Sequence, residues 1–372
     1  MTGLRIAQIV SAGHKNGAGR HCLALSTALA RRGHEVLLVH RPSLDVSDAE
    51  AAGVRCFPSV MEQAVGEFGR LARLFRREGV QVTHTHCSAA HLVGSVVRLM
   101  GGPPAVATAH ARHAQPHWWV NDQVMVFNDR TAAYMRRVNR VARRRIHVVP
   151  AFLGLQWPEA QTPERKAEAR RRLGIPQEAL VVGQIGDIHF DKRQSDLVQA
   201  ARGLLARRPE ARVALKGIWL DQAETRRVMQ AAEGFEDRLI RLDWTADVRD
   251  DFHAYDIFVI SSRTEQLPNV AVEAMAAGLP IVSTRVGRME ALLGDSGGGL
   301  LAAPRDVAGL ADAIDRLADD ADLRRRMGDA ARRRALEERD SEAAIDRIEA
   351  VLALAADRRR GAPIPSPVVV AA

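Results

Sequence analysis

The chain has 372 residues, of which 47% are apolar, 26% charged and 4% aromatic, with a formal net charge of +8; this composition excludes disordered and fibrous proteins and disfavours a stacking platform for single-stranded nucleic acid. At about 150 residues per domain, the length favours two domains. No apolar run reaches the roughly 18 residues that a membrane-spanning helix needs, and residues 1–10 lack a cleavable signal pattern, so we expect a cytoplasmic protein.

The first half of the chain alternates short apolar runs with amphipathic stretches, the pattern of β–α units that build a parallel sheet. Residues 5–10 predict a strand, residues 11–19 a glycine-rich turn and residues 20–32 a helix with one apolar face. Gly33 ends this helix, and residues 35–40 complete the unit. Further strands are predicted at residues 80–85, 105–109, 124–127 and 146–149.

The second half repeats this pattern after a connector that contains Gln156, Pro158 and Pro163. Its strands are predicted at residues 180–185, 212–215, 239–242, 257–261 and 280–284. Residues 321–356 predict helix, and the proline-containing residues 357–372 predict a disordered tail. The sequence therefore predicts an α/β protein of two doubly wound domains, with ligands bound at the carboxyl ends of the strands, in a cleft between the domains.

Two glutamates in the second half form the most informative chemical pattern. Glu265 lies in a polar loop after a buried strand, and Glu273 lies on a helix predicted over residues 269–277. The first amides of that helix, around Asn269 and Val270, lack helical partners and suit a phosphate. Glu273 can accept hydrogen bonds from a ribose, and Glu265 can face a sugar whose anomeric carbon becomes positive in the transition state.

Glu265 and Glu273 have seven residues between them, and the sequence Ala-Met-Ala-Ala-Gly-Leu-Pro-Ile-Val follows. This arrangement resembles the signature of the retaining, nucleotide-sugar-dependent glycosyltransferases of family 4 (group 1), which have the GT-B fold. The resemblance implies two Rossmann-like domains that face across a cleft: an acceptor-binding domain at residues 1–155 and a donor-binding domain at residues 156–340, with a helix at residues 341–356 returning to the first. It also implies a catalytic Glu265 and donor contacts from Gln266, Leu267, Asn269, Val270 and Glu273.

A second stretch of the donor domain is similar to the family's phosphate-binding loop. Gly186 ends a strand, and Lys192 and Arg193 follow it. Lys192 is the first candidate, and Arg193 the second, for stabilising the charge of a leaving nucleoside diphosphate without a metal. The family often has arginine where Asp187 stands and glycine where Arg193 and Gln266 stand, so we expect one phosphate contact and the donor-sugar pocket to differ.

The first domain contributes a glycine-rich segment to the expected donor site. Gly17, Gly19 and Arg20 resemble the family's glycine-rich loop, where bare backbone can approach donor phosphates. A dinucleotide fingerprint would instead need glycine or alanine where Cys22 stands and an acidic residue where His40 stands. Both positions argue against a dehydrogenase.

Histidines lie at the ends of two predicted strands, where we expect their imidazoles to face the cleft. His110 resembles the family's acceptor-domain histidine near the transferred sugar, which implies a catalytic role. His84, His86 and Trp118 are predicted to contact the acceptor. Since the histidines have no acidic partner at ligand spacing, we predict neither a metal site nor a cofactor besides the nucleotide-sugar substrate.

The positive charge is concentrated in the first half, where residues 1–150 hold 20 basic and 9 acidic side chains against 33 and 36 in the remainder. Much of it lies in two predicted helical stretches, residues 70–77 and 136–145, which fit a solvated helix face as well as an anionic membrane or acceptor. With the resemblance, this favours a glycan or lipid-linked anionic acceptor in envelope polysaccharide or lipopolysaccharide synthesis, with peripheral contact at the inner membrane surface. No nucleic-acid motif accompanies the charge.

Two other functions remain open from the sequence. A nucleotide-sugar epimerase or a phosphorylase on the same fold would use similar phosphate contacts. A non-catalytic glycan-binding protein would fit the departures from the family pattern at Asp187, Arg193 and Gln266.

Overall fold

The computed structural model describes residues 3–14, 17–61, 65–149, 158–245, 247–265, 268–294, 296–338 and 342–357. Contacts divide the chain into two units, one made of Met1–Gly154 and Ser341–Ala372 and the other of Leu155–Asp340. Each unit contains a parallel β-sheet whose strands alternate with helices. The two-sheet α/β architecture predicted from the sequence is therefore confirmed.

The sheet of the first unit has seven strands within the described part of the chain, in the order β3-β2-β1-β4-β5-β6-β7. Its elements are β1 (Arg5–Val10), α1 (Gly17–Arg31), β2 (Glu35–His40), α2 (Ser47–Ala51), β3 (Arg55–Pro58), α3 (Val65–Arg77), β4 (Val82–His86), α4 (Ser88–Leu99), β5 (Ala105–Thr108), β6 (Gln123–Val126), α5 (Asp129–Arg137) and β7 (Ile146–Val148). The winding reverses between β1 and β4, where Val10 pairs with His86. Ligands of open parallel sheets bind at such a reversal, outside the carboxyl ends of the strands.

The sheet of the second unit has six strands among the described residues, in the order β10-β9-β8-β11-β12-β13. Its elements are α6 (Pro163–Leu173), β8 (Leu180–Ile185), α7 (Gln194–Arg207), β9 (Ala211–Lys216), α8 (Gln222–Ala231), β10 (Leu239–Leu242), β11 (Ile257–Ile260), α9 (Asn269–Ala277), β12 (Ile281–Thr284), α10 (Met289–Leu293), β13 (Gly299–Ala302), α11 (Val307–Asp319) and α12 (Ala321–Glu338). The winding reverses between β8 and β11. The last helix, α13 (Glu342–Asp357), belongs to the first unit.

Burial on both faces explains why β5, β11 and β12 show no alternation of apolar and polar residues. Every residue of β5, β11 and β12 is buried, as expected for central parallel strands covered on both faces. On α1 the predicted apolar face is confirmed, because Leu25 and Leu29 have no exposed surface. Burying each of these leucines contributes about 1.5–3 kcal/mol. Within the described residues, no helix is long and apolar enough to cross a bilayer.

The arginine-rich residues 136–145 do not form the single helix that the sequence predicted. Helix α5 ends at Arg137, and Arg140 adopts a φ of 52°. The amide of Val141 donates to the carbonyl of Met135 at 3.0 Å, which closes the helix end in the manner of a left-handed C-terminal cap.

One proline of the predicted connector precedes helix α6, and the other is part of it. Pro163 is the first residue of α6, where its missing amide proton breaks no helical hydrogen bond. Thr162 caps this helix by accepting from the amide of Arg165 at 3.3 Å. Pro158 precedes the helix, whereas Gln156 and the predicted tail from residue 358 onward lie outside the described residues.

Helix α13 is held to the first unit by apolar burial and by ion pairs. Its buried face consists of Ala344, Ile345, Ile348, Val351, Leu352 and Ala355. Arg32, which follows α1, donates to Asp346 at 2.7 Å and to Glu349 at 2.9 Å. The ring of His34 lies 3.1 Å from the second oxygen of Glu349, so one half-buried carboxylate joins two residues of the first unit to the helix.

Replacing Arg32 by alanine is expected to lower the free energy of unfolding by about 1 kcal/mol and to raise hydrogen exchange in α13. The pair with Asp346 is mostly exposed, so most of this effect should come from Glu349, whose side chain is 12% exposed. Exchange measured by mass spectrometry on α13 peptides tests this. The neighbouring exposed Arg31, changed to alanine, serves as the control and should leave the exchange unchanged.

Candidate active site

Two loops of the second unit are tied together at the carboxyl ends of the neighbouring strands β8 and β11. The hydroxyl of Ser261, directly after β11, lies 2.7 Å from Oε1 of Gln184 and 2.9 Å from the carbonyl oxygen of Lys192. Farther along, the amide of Arg263 donates to the carbonyl of Asp191 at 2.8 Å. These contacts fix the position of Lys192 relative to the loop that carries Glu265.

Glu265 and Lys192 meet in an ion pair between Oε1 and Nζ. Ser262 donates from Oγ to the same carboxylate oxygen at 3.0 Å. The side chain of Lys192 is 31% exposed and that of Glu265 is 12% exposed. The two residues that the sequence singled out first thus form a partly accessible charge pair, 73 residues apart in the chain.

The other residues of the β8–α7 loop have different environments. Gly186 adopts a φ of 150° and donates its amide to the carbonyl of Lys216 at 2.8 Å. Arg193 has a φ of 54° and forms a bidentate pair with Asp196, at 3.0 and 2.8 Å. The second candidate for a phosphate contact is therefore already paired with a carboxylate one turn into α7, whereas the ammonium of Lys192 lies beside Glu265.

Helix α9 has the bounds that the sequence predicted and ends in Gly278, whose φ is 90°. Its N-cap residue, Pro268, forms no side-chain cap, and Asn269 and Val270 in the first turn are half-buried. Glu273 lies on this helix with 2% of its surface exposed. Gln266 and Leu267, also predicted to contact the donor, lie outside the described residues.

The glycine-rich segment of the first unit leads into α1. Gly17 is the first residue of this helix, Gly19 is buried and Arg20 is half-buried. The segment follows β1, so it lies at the carboxyl edge of the first sheet, next to the winding reversal.

Three histidines gather at that same edge, and hydrogen bonds order them. Nε2 of His86 lies 2.9 Å from Oε1 of Gln8, and Nδ1 of His86 lies 3.0 Å from Nε2 of His110. His84 contacts Oγ1 of Thr108 through Nε2 at 2.7 Å. Burial lowers the pKa of His84 to about 3 and the pKa values of His86 and His110 well below the usual range, with neighbouring imidazoles adding to the shift.

The predicted acceptor contacts of His84, His86 and Trp118 require correction. Both histidines have no exposed surface, and the side chain of Trp118 is 1% exposed. Trp118 donates from its indole nitrogen to the carbonyl of His113 at 3.2 Å and packs in a cluster of core residues. A direct contact with an acceptor is not available to these three side chains, because other side chains already cover them.

His21 joins the histidines in the structure, although the sequence analysis did not select it. It lies on α1 with 4% of its surface exposed, and its ring centroid is 5.0 Å from that of His110. A signal was present, because His21 precedes Leu25 and Leu29 by four and eight residues and so shares the buried face of α1. A histidine on such a face, one turn from a sheet edge, is placed to meet residues of the neighbouring strands.

Two family models match consecutive parts of the chain. The model described as Glycosyltransferase Family 4 matches residues 15–155, and the model described as Glycosyl transferases group 1 matches residues 165–334. The chain belongs to this glycosyltransferase family. The chain also has the GT-B fold, as its two parallel sheets and its structural neighbours show.

Similar proteins include one curated relative and two solved structures. A D-inositol 3-phosphate glycosyltransferase of Stackebrandtia nassauensis is 34% identical over 180 residues, which span 46% of this chain and 41% of that relative. The structure of Anabaena HepE with UDP and glucose gives a TM-score of 0.80 at 19% identity, covering 94% of this chain and 99% of HepE. WaaG, described as a glycosyltransferase involved in lipopolysaccharide biosynthesis, gives a TM-score of 0.67 at 15% identity, with 95% and 100% coverage.

Proposed function

We propose that this glycosyltransferase moves a sugar from a nucleoside diphosphate sugar to an anionic glycan or lipid-linked acceptor, with retention of anomeric configuration. The observation that carries the proposal is the ion pair between Lys192 and Glu265, which places opposite charges at the carboxyl ends of β8 and β11. Cleavage of the sugar–pyrophosphate bond is favoured by a cation that stabilises the leaving phosphate and an anion that stabilises the oxocarbenium-like sugar.

When the donor binds, its pyrophosphate becomes a partner of the Lys192 ammonium, which otherwise pairs with Glu265. The leaving pyrophosphate accepts hydrogen bonds from the ammonium of Lys192 and from the first amides of α9, at Asn269 and Val270, where the helix dipole adds positive potential. Glu273 accepts hydrogen bonds from the ribose hydroxyls. Because protein groups meet the phosphate charge, we expect transfer to require no metal ion.

Glu265 then faces the sugar as positive charge develops at its anomeric carbon. The bond from that carbon to the phosphate oxygen breaks as the acceptor oxygen approaches from the same face. The departing phosphate oxygen takes the acceptor proton, so the configuration is retained without a covalent sugar–enzyme intermediate. The neutral imidazole of His110 hydrogen-bonds a hydroxyl of the transferred sugar.

The charge of the first unit supports an anionic acceptor. Arg70, Arg73, Arg76 and Arg77 lie on α3, and residues 1–150 carry an excess of eleven positive charges. The relative named for D-inositol 3-phosphate supports a phosphorylated acceptor in this proposal. We therefore propose an acceptor of the cell-envelope pathways, reached at the cytoplasmic membrane surface by peripheral contact.

Thermal-shift measurements with UDP, GDP, ADP and their sugars test the donor part of this proposal. A nucleotide that binds only the folded state raises the melting temperature with its concentration. Product analysis with the stabilising donor then decides the reaction class. Glycoside formed only with acceptor, with slow donor hydrolysis in its absence, indicates a transferase; an isomerised donor without acceptor would indicate an epimerase, and no turnover at all a binding protein.

Replacing Glu273 by alanine is expected to weaken nucleoside diphosphate binding by about 10- to 100-fold, the range for hydrogen bonds to a charged group. The turnover number at saturating donor should change less, because the ribose lies away from the reacting carbon. Calorimetric titration and initial rates measure the two effects separately.

Glu224 provides the matched control for Glu273. It is a fully buried glutamate of the same unit and accepts from the amide of Ser195 at 2.9 Å. Its alanine variant should lose stability without losing nucleotide affinity. Equal affinity of the Glu273→Ala variant and the wild type would contradict the ribose contact.

A further inference from the structure

The described residues contain a group of three histidines whose ring nitrogens could hold one ion. His21, His86 and His110 each offer one nitrogen, and these atoms lie within 4.8 Å of one another. They come from three segments: α1, the last residue of β4 and the loop after β5. We name them the histidine triad. The triad lies at the winding reversal of the first sheet, where open parallel sheets bind ligands.

Gln8 orients the middle histidine of the triad. Its side chain has no exposed surface, and its Oε1 lies 2.9 Å from Nε2 of His86. The carboxamide oxygen of Gln8 accepts a hydrogen bond when Nε2 of His86 is protonated, and Nδ1 then carries the lone pair. That lone pair is directed toward Nε2 of His110, 3.0 Å away. A fixed tautomer with a hydrogen-bonded outer nitrogen is the usual arrangement of metal-binding histidines.

Aromatic rings and neighbouring imidazoles surround the triad. The ring of Phe127 lies 5.5 Å from the rings of both His21 and His110, and the ring of His84 lies 4.3 Å from that of His86. Burial lowers the pKa values of His86 and His110, which favours the neutral imidazole. Neutral imidazole is the ligand form, and it favours zinc-like transition metals over magnesium or calcium.

We propose that the histidine triad binds a transition-metal ion of the Zn²⁺ class. Tetrahedral coordination at about 2.0–2.1 Å requires ligand nitrogens about 3.3 Å apart. Nδ1 of His86 and Nε2 of His110 are already near this separation at 3.0 Å, and the ligand atoms of all three histidines lie within 4.8 Å of one another, so metal binding requires the triad to contract around the ion. Three protein ligands leave the fourth position for water or an anion. The proposal does not rest on sugar transfer, because its tests measure metal binding.

Co²⁺ titration of the metal-stripped, untagged full chain tests the proposal. The expected result is one equivalent of tightly bound Co²⁺ with visible absorption bands of a tetrahedral nitrogen site, displaced by Zn²⁺. Replacing His21 or His110 by phenylalanine should remove these bands. Replacing Gln8 by leucine keeps all three ligands and should weaken Zn²⁺ binding by about 10- to 100-fold, the usual cost of losing an outer-shell partner.

His113 is the matched control, because it is an exposed histidine three residues beyond His110. Its glutamine variant should bind Co²⁺ like the wild type. X-ray absorption of the Zn²⁺-loaded wild type should show imidazole scattering, which does not depend on whether any variant folds. The proposal fails if the wild type binds no tight equivalent, if the metal shell contains only oxygen, or if folded variants lacking His21 or His110 retain the bands.

Discussion

Replacing Glu265 by glutamine is expected to slow sugar transfer by at least about 100-fold, the usual effect of removing one fixed charge that stabilises a transition state. Glutamine keeps the size of the side chain and its hydrogen bond from Ser262, which is 3.0 Å in the wild type. It removes the negative charge that pairs with Lys192 and that would stabilise the positive anomeric carbon. The loss should therefore affect the turnover number more than the affinity for the nucleoside diphosphate.

Release of nucleoside diphosphate from the donor, with and without acceptor, measures this effect. Glu290 provides the control because it is an exposed glutamate on α10 that pairs with Arg285 at the surface, 2.9 Å apart. The Glu290→Gln variant should turn over like the wild type. A Glu265→Gln enzyme with unchanged turnover would remove Glu265 from the reacting centre, and parallel loss of turnover and of nucleotide affinity would indicate a binding role instead.

Several elements of both sheets could be predicted to the residue because their local signals agree. Strands β1, β2, β8 and β10 have the bounds that their apolar runs predicted. Helix α9 was also predicted to the residue, since Gly278 supplies the left-handed turn that ends it. In these segments the burial pattern and the stop signal indicate the same structure.

Of the four edge strands among the described residues, β3 and β13 were missed because their own sequences carry little strand signal. β3 is the four residues Arg-Cys-Phe-Pro, with only half-buried apolar side chains, and it pairs with β2 alone. β13 begins at Gly299, after a run of glycines, and pairs with β12 alone. Neither segment has the periodicity or the length that distinguishes a strand from a loop.

The family pattern and the sheet topology together indicated that Lys192 and Glu265 lie near each other, and the structure pairs them. Arg193 is a predicted phosphate contact whose guanidinium already pairs with Asp196, three residues later, and the sequence did not indicate this pair. Trp118 shows a second limit: an aromatic side chain in a loop gives no sign of whether it turns inward. The buried face of α1 marks His21 as an inward-facing residue, but its partners could not be predicted, since they are 65 and 89 positions away.

A buried ion pair lies close to the candidate site and is expected to dominate the stability of the second unit. Nζ of Lys216 and Oδ2 of Asp251 are 3.1 Å apart, and the side chains are 2% and 0% exposed. Arg172 donates to the other carboxylate oxygen at 2.7 Å. The carbonyl of the same lysine accepts the amide of Gly186, so the pair borders the proposed phosphate loop.

Replacing Asp251 by alanine is expected to lower the free energy of unfolding of the second unit by about 3–5 kcal/mol. The two cations that pair with Asp251 respond differently to its loss. Arg172 is 43% exposed and can be solvated, whereas the buried ammonium of Lys216 loses its carboxylate partner. Such a loss is a large share of the roughly 5–15 kcal/mol that stabilises a domain. Hydrogen exchange followed by mass spectrometry shows which unit is destabilised, because peptides of the second unit should lose protection and those of the first should not.

Two further variants separate the buried charge from the loss of a side chain. Asp250, the exposed neighbour, should tolerate alanine with little change in protection. A double change of Asp251 to leucine and Lys216 to methionine removes both charges and should recover much of the stability, since apolar pairs of similar size often replace buried ion pairs at no cost. If the double variant were as unstable as Asp251→Ala, the cause would be lost packing and hydrogen bonds around Asp251 rather than the stranded ammonium of Lys216.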